Sequence, residues 1–298
     1  MAHEHHHHQV EGKNLFFTIL LNLIISIAEL IGGILSGSIS LISDSIHNFS
    51  DVLSLIISYI ANKLAKKEAT ESYTFGYKRS EIIAAFLNSA TLIVLAFFIL
   101  YEAVGRFIHP VVVSSNLVIW LALGSIIVNG LSVLFIKNDA KENMNMKSAY
   151  LHLFGDMMTS IAVLIGGILM KYFQLYWIDP VFSILIAIYL IYMSWDIFKS
   201  SLKIMMQFTP DNIDIQQISK DISKLDGLKN IHHIHIWQIN EHDIMFEAHI
   251  DLKNNIKITD FEQILKIISN YLHDNYTINH ITLQPEFSID DSKEVIKK

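Results

Sequence analysis

The sequence predicts an α-helical membrane protein, with six transmembrane helices followed by a small C-terminal α+β domain. Three observations carry this. Of the 298 residues, 52% are hydrophobic and only 17% are charged, where a soluble domain carries ~25% charged residues. Residues 15–208 are a succession of long apolar runs broken by short polar stretches. From Asp211 onward the composition is that of an ordinary soluble domain. The expected organisation is a His-rich tail at 1–14, a membrane domain at 15–208, a second domain at 209–290 and a short tail at 291–298.

The helices are expected at 15–35, 39–63, 80–106, 116–137, 146–172 and 178–199. Each supplies about 20 or more mostly apolar residues, as a ~30 Å hydrocarbon core requires. Basic residues set the orientation. Lys63, Lys66, Lys67, Lys78 and Arg79 lie between the second and third helices. Lys137, Lys141 and Lys147 lie between the fourth and fifth, and Lys199 and Lys203 follow the sixth. The opposite loops offer only Arg106 and Lys171. Both termini and the second domain are therefore expected in the cytoplasm. The start of the chain lacks a basic n-region, a short apolar h-region and a small-residue cleavage site, so no cleaved signal peptide is expected.

In the second domain, residues 213–225 have helical spacing of Ile and Leu. Residues 231–239 alternate as a strand, which would put Ile231, His233, His235, Trp237 and Ile239 on one face. A second strand is expected at 244–252 and a third at 281–287. Between them lies an amphipathic helix at 261–271, with Thr259 or Asp260 as its cap. The order αββαβ suits a small α+β sandwich.

The chain has no cysteine and a net charge of −7. Disulfides and thiolate metal sites are excluded, and the acidic balance argues against nucleic acid as a partner. Of 15 histidines, five lie in the first eight residues and seven beyond residue 230. The run His3-Glu4-His5-His6-His7-His8 reads either as a metal-collecting tail or as an engineered tag. His109, before Pro110, reads as an exposed loop residue.

The remaining two histidines fall inside membrane helices, where each polar side chain costs about 2.5–3.5 kcal/mol to insert. Both are followed four residues later by aspartate: His47 with Asp51, and His152 with Asp156. That spacing puts each pair on one helix face. Two imidazoles and two carboxylates make a closed four-ligand set for a tetrahedral divalent ion. Nitrogen and oxygen donors without sulfur suit Zn²⁺, and the carboxylates balance its charge in a low-dielectric place. Protons compete with metal for the same atoms, which permits exchange of one for the other. The plainer reading of such groups is interhelical hydrogen-bond glue. It is set aside for the two matched pairs and left level with a water-lined access path for Asn22, Glu29 and Asn129.

The same residues carry a resemblance. Asn22 and Glu29, the stretch Ser43-Asp44-Ser45-Ile46-His47 through Asp51, the run 75–81, the segment His152 to Asp156, the stretch 232–237 and the run 281–286 together resemble the cation diffusion facilitator family, in particular its bacterial zinc and cadmium exporters. The resemblance implies a homodimeric, proton-coupled divalent-metal exporter of the inner (plasma) membrane, with a ferredoxin-like cytoplasmic domain. Zinc is the implied substrate, with cadmium and cobalt beside it, and zinc is also an implied structural ion in the tail. There His232, His249 and Glu286 match the family's cytoplasmic metal ligands, with His280 as a further candidate. The chain also departs from the family. Tyr73 and Tyr77 stand where some relatives carry the histidines of a loop site, so that site is expected to be absent. His233 replaces a common aspartate, and Gln284 stands where some relatives have histidine.

Two other classes of function compete. An intramembrane metalloenzyme would keep an open ligand position and a general base, whereas this quartet is closed and no His-Glu-x-x-His helix occurs. A metal-sensing membrane receptor would not require two matched buried pairs. An enzyme is therefore not expected.

Overall fold

The computed structural model describes residues 11–137, 144–290 and 292–296. The His-rich run at 3–8 lies outside them. Six long helices come first: α1 Glu11–Ser36, α2 Ile39–Ala65, α3 Ser80–Ile108, α4 Ser115–Ile136, α5 Met144–Phe173 and α6 Ile178–Met205. The short helix α7 Ile215–Ile222, strands β1 Leu228–Gln238 and β2 Ile244–Leu252, helix α8 Ile258–Tyr276 and strand β3 His280–Glu286 follow. The chain forms two compact units. One holds the described residues through Tyr59 together with Leu87–Ile197, and the other holds Ile60–Phe86 and the chain from Phe198 onward.

The helical unit is a membrane domain. Four helices are long and apolar enough to cross a bilayer, Ser80–Ile108, Ser115–Phe135, Tyr150–Phe173 and Ile178–Met205, and Leu20–Ser36 is a shorter apolar helix. α2 is long enough, but its apolar run is interrupted by Asp44, His47, Asp51 and a series of serines. Its outer side nonetheless exposes Leu53, Leu55 and Ile56. Across the unit large apolar side chains are exposed, while the interior holds buried polar groups beside its apolar clusters.

Helices pack closely where side chains are smallest. A Cβ on Gly33 would stand 2.6 Å from the Ile42 side chain and 3.0 Å from its backbone nitrogen, so α1 and the start of α2 touch through that glycine. Gly37, at φ +75°, makes the turn between them. Asp179, in the first turn of α6, is buried against the N-terminus of α2. Its Oδ2 accepts from the Ile39 amide at 2.7 Å. Its Oδ1 accepts from the Ser38 and Ser40 hydroxyls at 2.5 and 2.6 Å. A carboxylate there satisfies orphan amides and complements the helix dipole.

The second unit carries a three-stranded sheet in the order β1-β2-β3, with β1 and β2 antiparallel and β2 and β3 parallel. α8 makes the crossover that a parallel pair requires. Ile218, Ile222, Leu228, Phe246, Ile250, Ile268 and Leu272 form the core beneath the sheet. Two details depart from the sequence reading. α8 begins earlier, after Lys257, whose side chain makes no capping bond, so Thr259 and Asp260 lie inside the first turn rather than at the cap. β1 does not alternate without interruption. His233 sits at φ 52°, and the register with β2 shifts between His232 and His235. This bulge restarts the alternation. Ile231, Ile234 and Ile236 therefore share the core, and His233, His235 and Trp237 do not join Ile231 on one face.

Candidate metal sites in the membrane and in the tail

α2 and α5 bring their two half-sites together. His47 Nδ1 lies 3.4 Å from Asp51 Oδ2 and His47 Nε2 lies 3.7 Å from Asp156 Oδ1. His152 Nε2 lies 3.3 Å from Asp51 Oδ2 and 3.6 Å from Asp156 Oδ2. Each imidazole thus faces its own helix's aspartate and its neighbour's. The ring centroids of His47 and His152 are 6.0 Å apart, nearly perpendicular. In a tetrahedral zinc complex with ~2.0–2.1 Å bonds, neighbouring ligand atoms stand about 3.3–3.4 Å apart. The observed spacings are that edge or slightly longer. His47 divides its two nitrogens between two carboxylates, so ligating a single ion uses one of them and leaves the other for an outer hydrogen bond.

The four side chains differ in access. Their exposures are 44% for His152, 24% for Asp51, 11% for His47 and 3% for Asp156. The group is open on the side of His152 and Asp51, and Asp156 forms its floor. Tyr189 of α6 stands edge-on to His47 at 6.4 Å.

Behind the floor, Asp44 accepts hydrogen bonds from Thr159 at 2.9 Å and Ser160 at 3.3 Å. Each hydroxyl also stands within hydrogen-bond distance of the Asp156 carbonyl, at 2.8 and 2.9 Å, so its single hydrogen is shared between the two acceptors. Asn22, Ser26 and Glu29 lie along one face of α1, and Ser125, Asn129 and Ser132 along one face of α4; all six are buried. The side-chain oxygens of Asn22, Glu29 and Asn129 make no hydrogen bond.

In the tail, strand pairing assembles a second group. His232 of β1 is directly opposite His249 of β2, and Glu286 ends the parallel neighbour β3. One ligand atom from each of the three lies within 4.8 Å of the others. His249 Nδ1 is 2.6 Å from Glu286 Oε1, and His232 Nε2 is 3.3 Å from Glu286 Oε2. Asn230 Oδ1 meets His232 Nδ1 at 2.9 Å, which aims Nε2 at the carboxylate. His280 is not brought to this group. It opens β3 opposite Met245, six residues from Glu286, and its ring meets Phe75. At about 3.3 Å per residue a strand separates such positions by roughly 20 Å. Tyr73 and Tyr77 stack on each other with centroids 5.0 Å apart.

Two groups escaped the sequence reading. Asp179 positions the start of α2, and its only trace in the sequence is an acidic residue where the sixth apolar run begins. Lys293 approaches Glu286 at 3.2 Å and Asp251 at 3.0 Å, so an ammonium shares the carboxylate of the tail cluster. Nothing in the local sequence pairs a lysine of the irregular C-terminal segment with that strand. Elsewhere in the domain, the Lys224 ammonium, the Gln217 amide and the Tyr271 hydroxyl lower the Asp221 carboxyl to about 2.

Comparison with known proteins follows the same division. Residues 15–206 match the family described as cation efflux transmembrane domain, and residues 210–288 match the cation efflux protein cytoplasmic domain. The chain is 36% identical over 289 residues to a "Cadmium, cobalt and zinc/H(+)-K(+) antiporter" of Bacillus velezensis, covering 96% of this chain and 92% of the relative. It is 31% identical to "Zinc transporter ZitB" of Pectobacterium atrosepticum, covering 96% and 89%. It is 30% identical to "Metal cation efflux system protein CzcD" of Cupriavidus metallidurans, covering 96% and 90%.

Proposed function

The chain belongs to the cation efflux family, and on that premise we propose that it exports zinc, with cadmium and cobalt as accompanying substrates. Metal cation efflux is the activity of that family, so the metalloenzyme and receptor readings fall away. The observation that carries the proposal is the meeting of two His-x-x-x-Asp half-sites from α2 and α5, with imidazole-to-carboxylate spacings of 3.3–3.7 Å. His47, Asp51, His152 and Asp156 are the transport ligands.

The counter-ions are protons and, by the name of the Bacillus relative, potassium. Metal and proton compete for the same lone pairs, so uptake of one weakens the other. His152 and Asp51, the exposed half, exchange ions with the aqueous side, and Asp156 holds the charge at the floor.

The membrane domain spans the inner membrane six times, with α2 as the polar span whose insertion its outer apolar face supports. Both termini are cytoplasmic, as the basic loops support. The domain limits are those given above. The tail is ferredoxin-like, and its αββαβ order with a crossover helix supports this. His232, His249 and Glu286 hold a structural zinc that ties three strands together. The protein works as a homodimer through the tail.

The test is zinc uptake into inside-out vesicles with an acidic lumen. Uptake that slows when the pH gradient is collapsed, and that alkalinises the lumen, is expected. Uptake at an unchanged rate without proton movement would make the protein a uniporter.

A further inference from the structure

The polar seam between α1 and α4 ends in a group of oxygens that the transport quartet does not use. Glu29 of α1 is fully buried, and neither carboxylate oxygen makes a hydrogen bond. The polar side chains facing it are Asp44, Ser125 and Asn48, with Asp156 further off. Asn48 is 1% exposed, one turn after Asp44 on α2, and its amide is unpartnered. Asn129 is fully buried, with its nitrogen 3.5 Å from Ser125 Oγ and its oxygen unpartnered. Ser125 Oγ bonds Ser160 Oγ at 2.9 Å, and Ser160 in turn reaches Asp44. Glu29, Asp44, Asn48, Ser125 and Asn129 are thus one connected cluster drawn from three helices.

Its donor set differs in kind from the quartet. It offers carboxylate, amide and hydroxyl oxygens and no imidazole, which suits hard cations over zinc. Its charge differs too. Asp44 is compensated by two hydroxyl donors and faces His47, whereas Glu29 is faced only by the Ser125 hydroxyl and the Asn48 amide, neither of them in a close hydrogen bond. Among the described residues no lysine or arginine pairs with either. A buried carboxyl with no cationic side chain beside it, amid acceptor oxygens, calls for one positive charge, a proton or a metal ion. A proton would satisfy Glu29 and leave the Asn129 oxygen unpaired. Magnesium would demand a near-octahedral shell and keep its waters. A larger monovalent ion takes irregular protein oxygens in place of its hydration shell.

We infer that Glu29 and Asp44, with the oxygens of Asn48, Ser125 and Asn129, form a second, all-oxygen cation site that takes the alkali-metal counter-ion, potassium first, exchanged for the transported metal. The inference rests on the transport reading above and assigns its counter-ion a place. Asp44 lies three residues before His47, and the field of Asp156 reaches both acids. A cation in either site therefore disfavours a cation in the other, which is the linkage antiport needs.

The test uses full-length protein. Zinc binding is measured by calorimetry in choline, sodium and potassium chloride at equal ionic strength, with the Asp51→Ala variant as baseline for zinc bound in the tail. Potassium is expected to raise the membrane-site Kd about tenfold, sodium less and choline not at all. Glu29→Gln still binds zinc but loses the potassium effect. A second measurement needs no zinc: in Asp51→Ala, potassium chloride raises the melting temperature above choline chloride, and adding Glu29→Gln removes that rise. Potassium without effect in either assay overturns the inference, as does an effect that survives Glu29→Gln. A second membrane-bound zinc lost with Glu29→Gln would make the site divalent, and sensitivity to acid alone would make it a proton-binding pair; both also overturn it. Wild type that neither binds nor moves zinc in choline sinks the transport reading itself, whereas zinc flux blind to potassium sinks only the counter-ion site.

Discussion

Replacing Asp179 by asparagine should disturb the metal site from two helical turns away. The carboxylate accepts from the Ser38 and Ser40 hydroxyls on one oxygen and from the Ile39 amide on the other. Asparagine keeps one acceptor oxygen and turns the other position into a donor. If it serves the serines, its amide nitrogen faces the Ile39 N–H and leaves that buried donor unpaired. Hydrogen bonds to a charged group contribute ~1.5–3 kcal/mol against ~0.5–1.5 for neutral ones, and an orphaned buried donor costs ~1–3 kcal/mol. Two weakened bonds and one lost bond sum to about 3–5 kcal/mol. α2 should fray at its start, and His47, eight residues inward from Ile39, should lose its fixed position. Detergent-purified protein should melt roughly 10 °C lower, taking a few degrees per kcal/mol for a domain of this size. Zinc flux in vesicles should fall more steeply than the amount of inserted protein. Asp179→Ala should be at least as damaging, because it leaves the Ile39 amide and one of the two hydroxyls, which can bond each other at 3.1 Å, without an acceptor. An unchanged melting temperature together with normal flux in Asp179→Asn would show that the buried carboxylate neither caps α2 nor sets the site.

Asp156→Asn should weaken zinc binding more than Asp51→Asn, because 3% against 24% exposure leaves the Asp156 charge less screened. Removing a unit charge ~4 Å from a divalent ion at an effective dielectric near 20 removes about 8 kcal/mol of attraction before the lost desolvation cost is set against it, so a loss of at least about a thousandfold in Kd is expected; titration calorimetry at two salt concentrations should show salt sensitivity mainly in the Asp51→Asn loss, and equal losses would contradict the burial argument. In the tail, zinc should raise the melting temperature of the full chain by mass action. Glu286→Gln should abolish that rise, and His280→Ala should leave it intact; loss in His280→Ala would place that residue at the cluster after all. Asp221 titrates low in the folded state, at about 2, so its contribution is present above the ordinary carboxylate range near pH 4 and is lost as pH falls toward 2. Tyr271→Phe should move the Asp221 carboxyl carbon titration upward by NMR, and an unmoved titration would leave Lys224 and Gln217 as the whole cause.

Much of this protein was legible one segment at a time. Helix length and apolarity are local properties, so α3, α4, α5 and α6 follow from their own residues. An i, i+4 pair shares a helix face whatever surrounds it, so His47 with Asp51 and His152 with Asp156 could be read as half-sites from spacing alone. The family motifs are runs of chain as well, which is why the membrane class and metal efflux were available without coordinates. Tertiary structure decided what lies between segments. Only packing of α2 on α5 sets the distance from one helix's imidazole to the other's carboxylate. Only the turn into α6 puts Asp179 under α2. Glu29, Asp44 and Asn129 sit on three different helices, so no window of sequence could show that their oxygens converge. In the tail, strict alternation misplaced His233 because a bulge is a choice made between two strands rather than within one. His280 was separated from Glu286 for the same reason: on a strand, sequence neighbours are carried apart, and only the register with β2 says which of them meets His249.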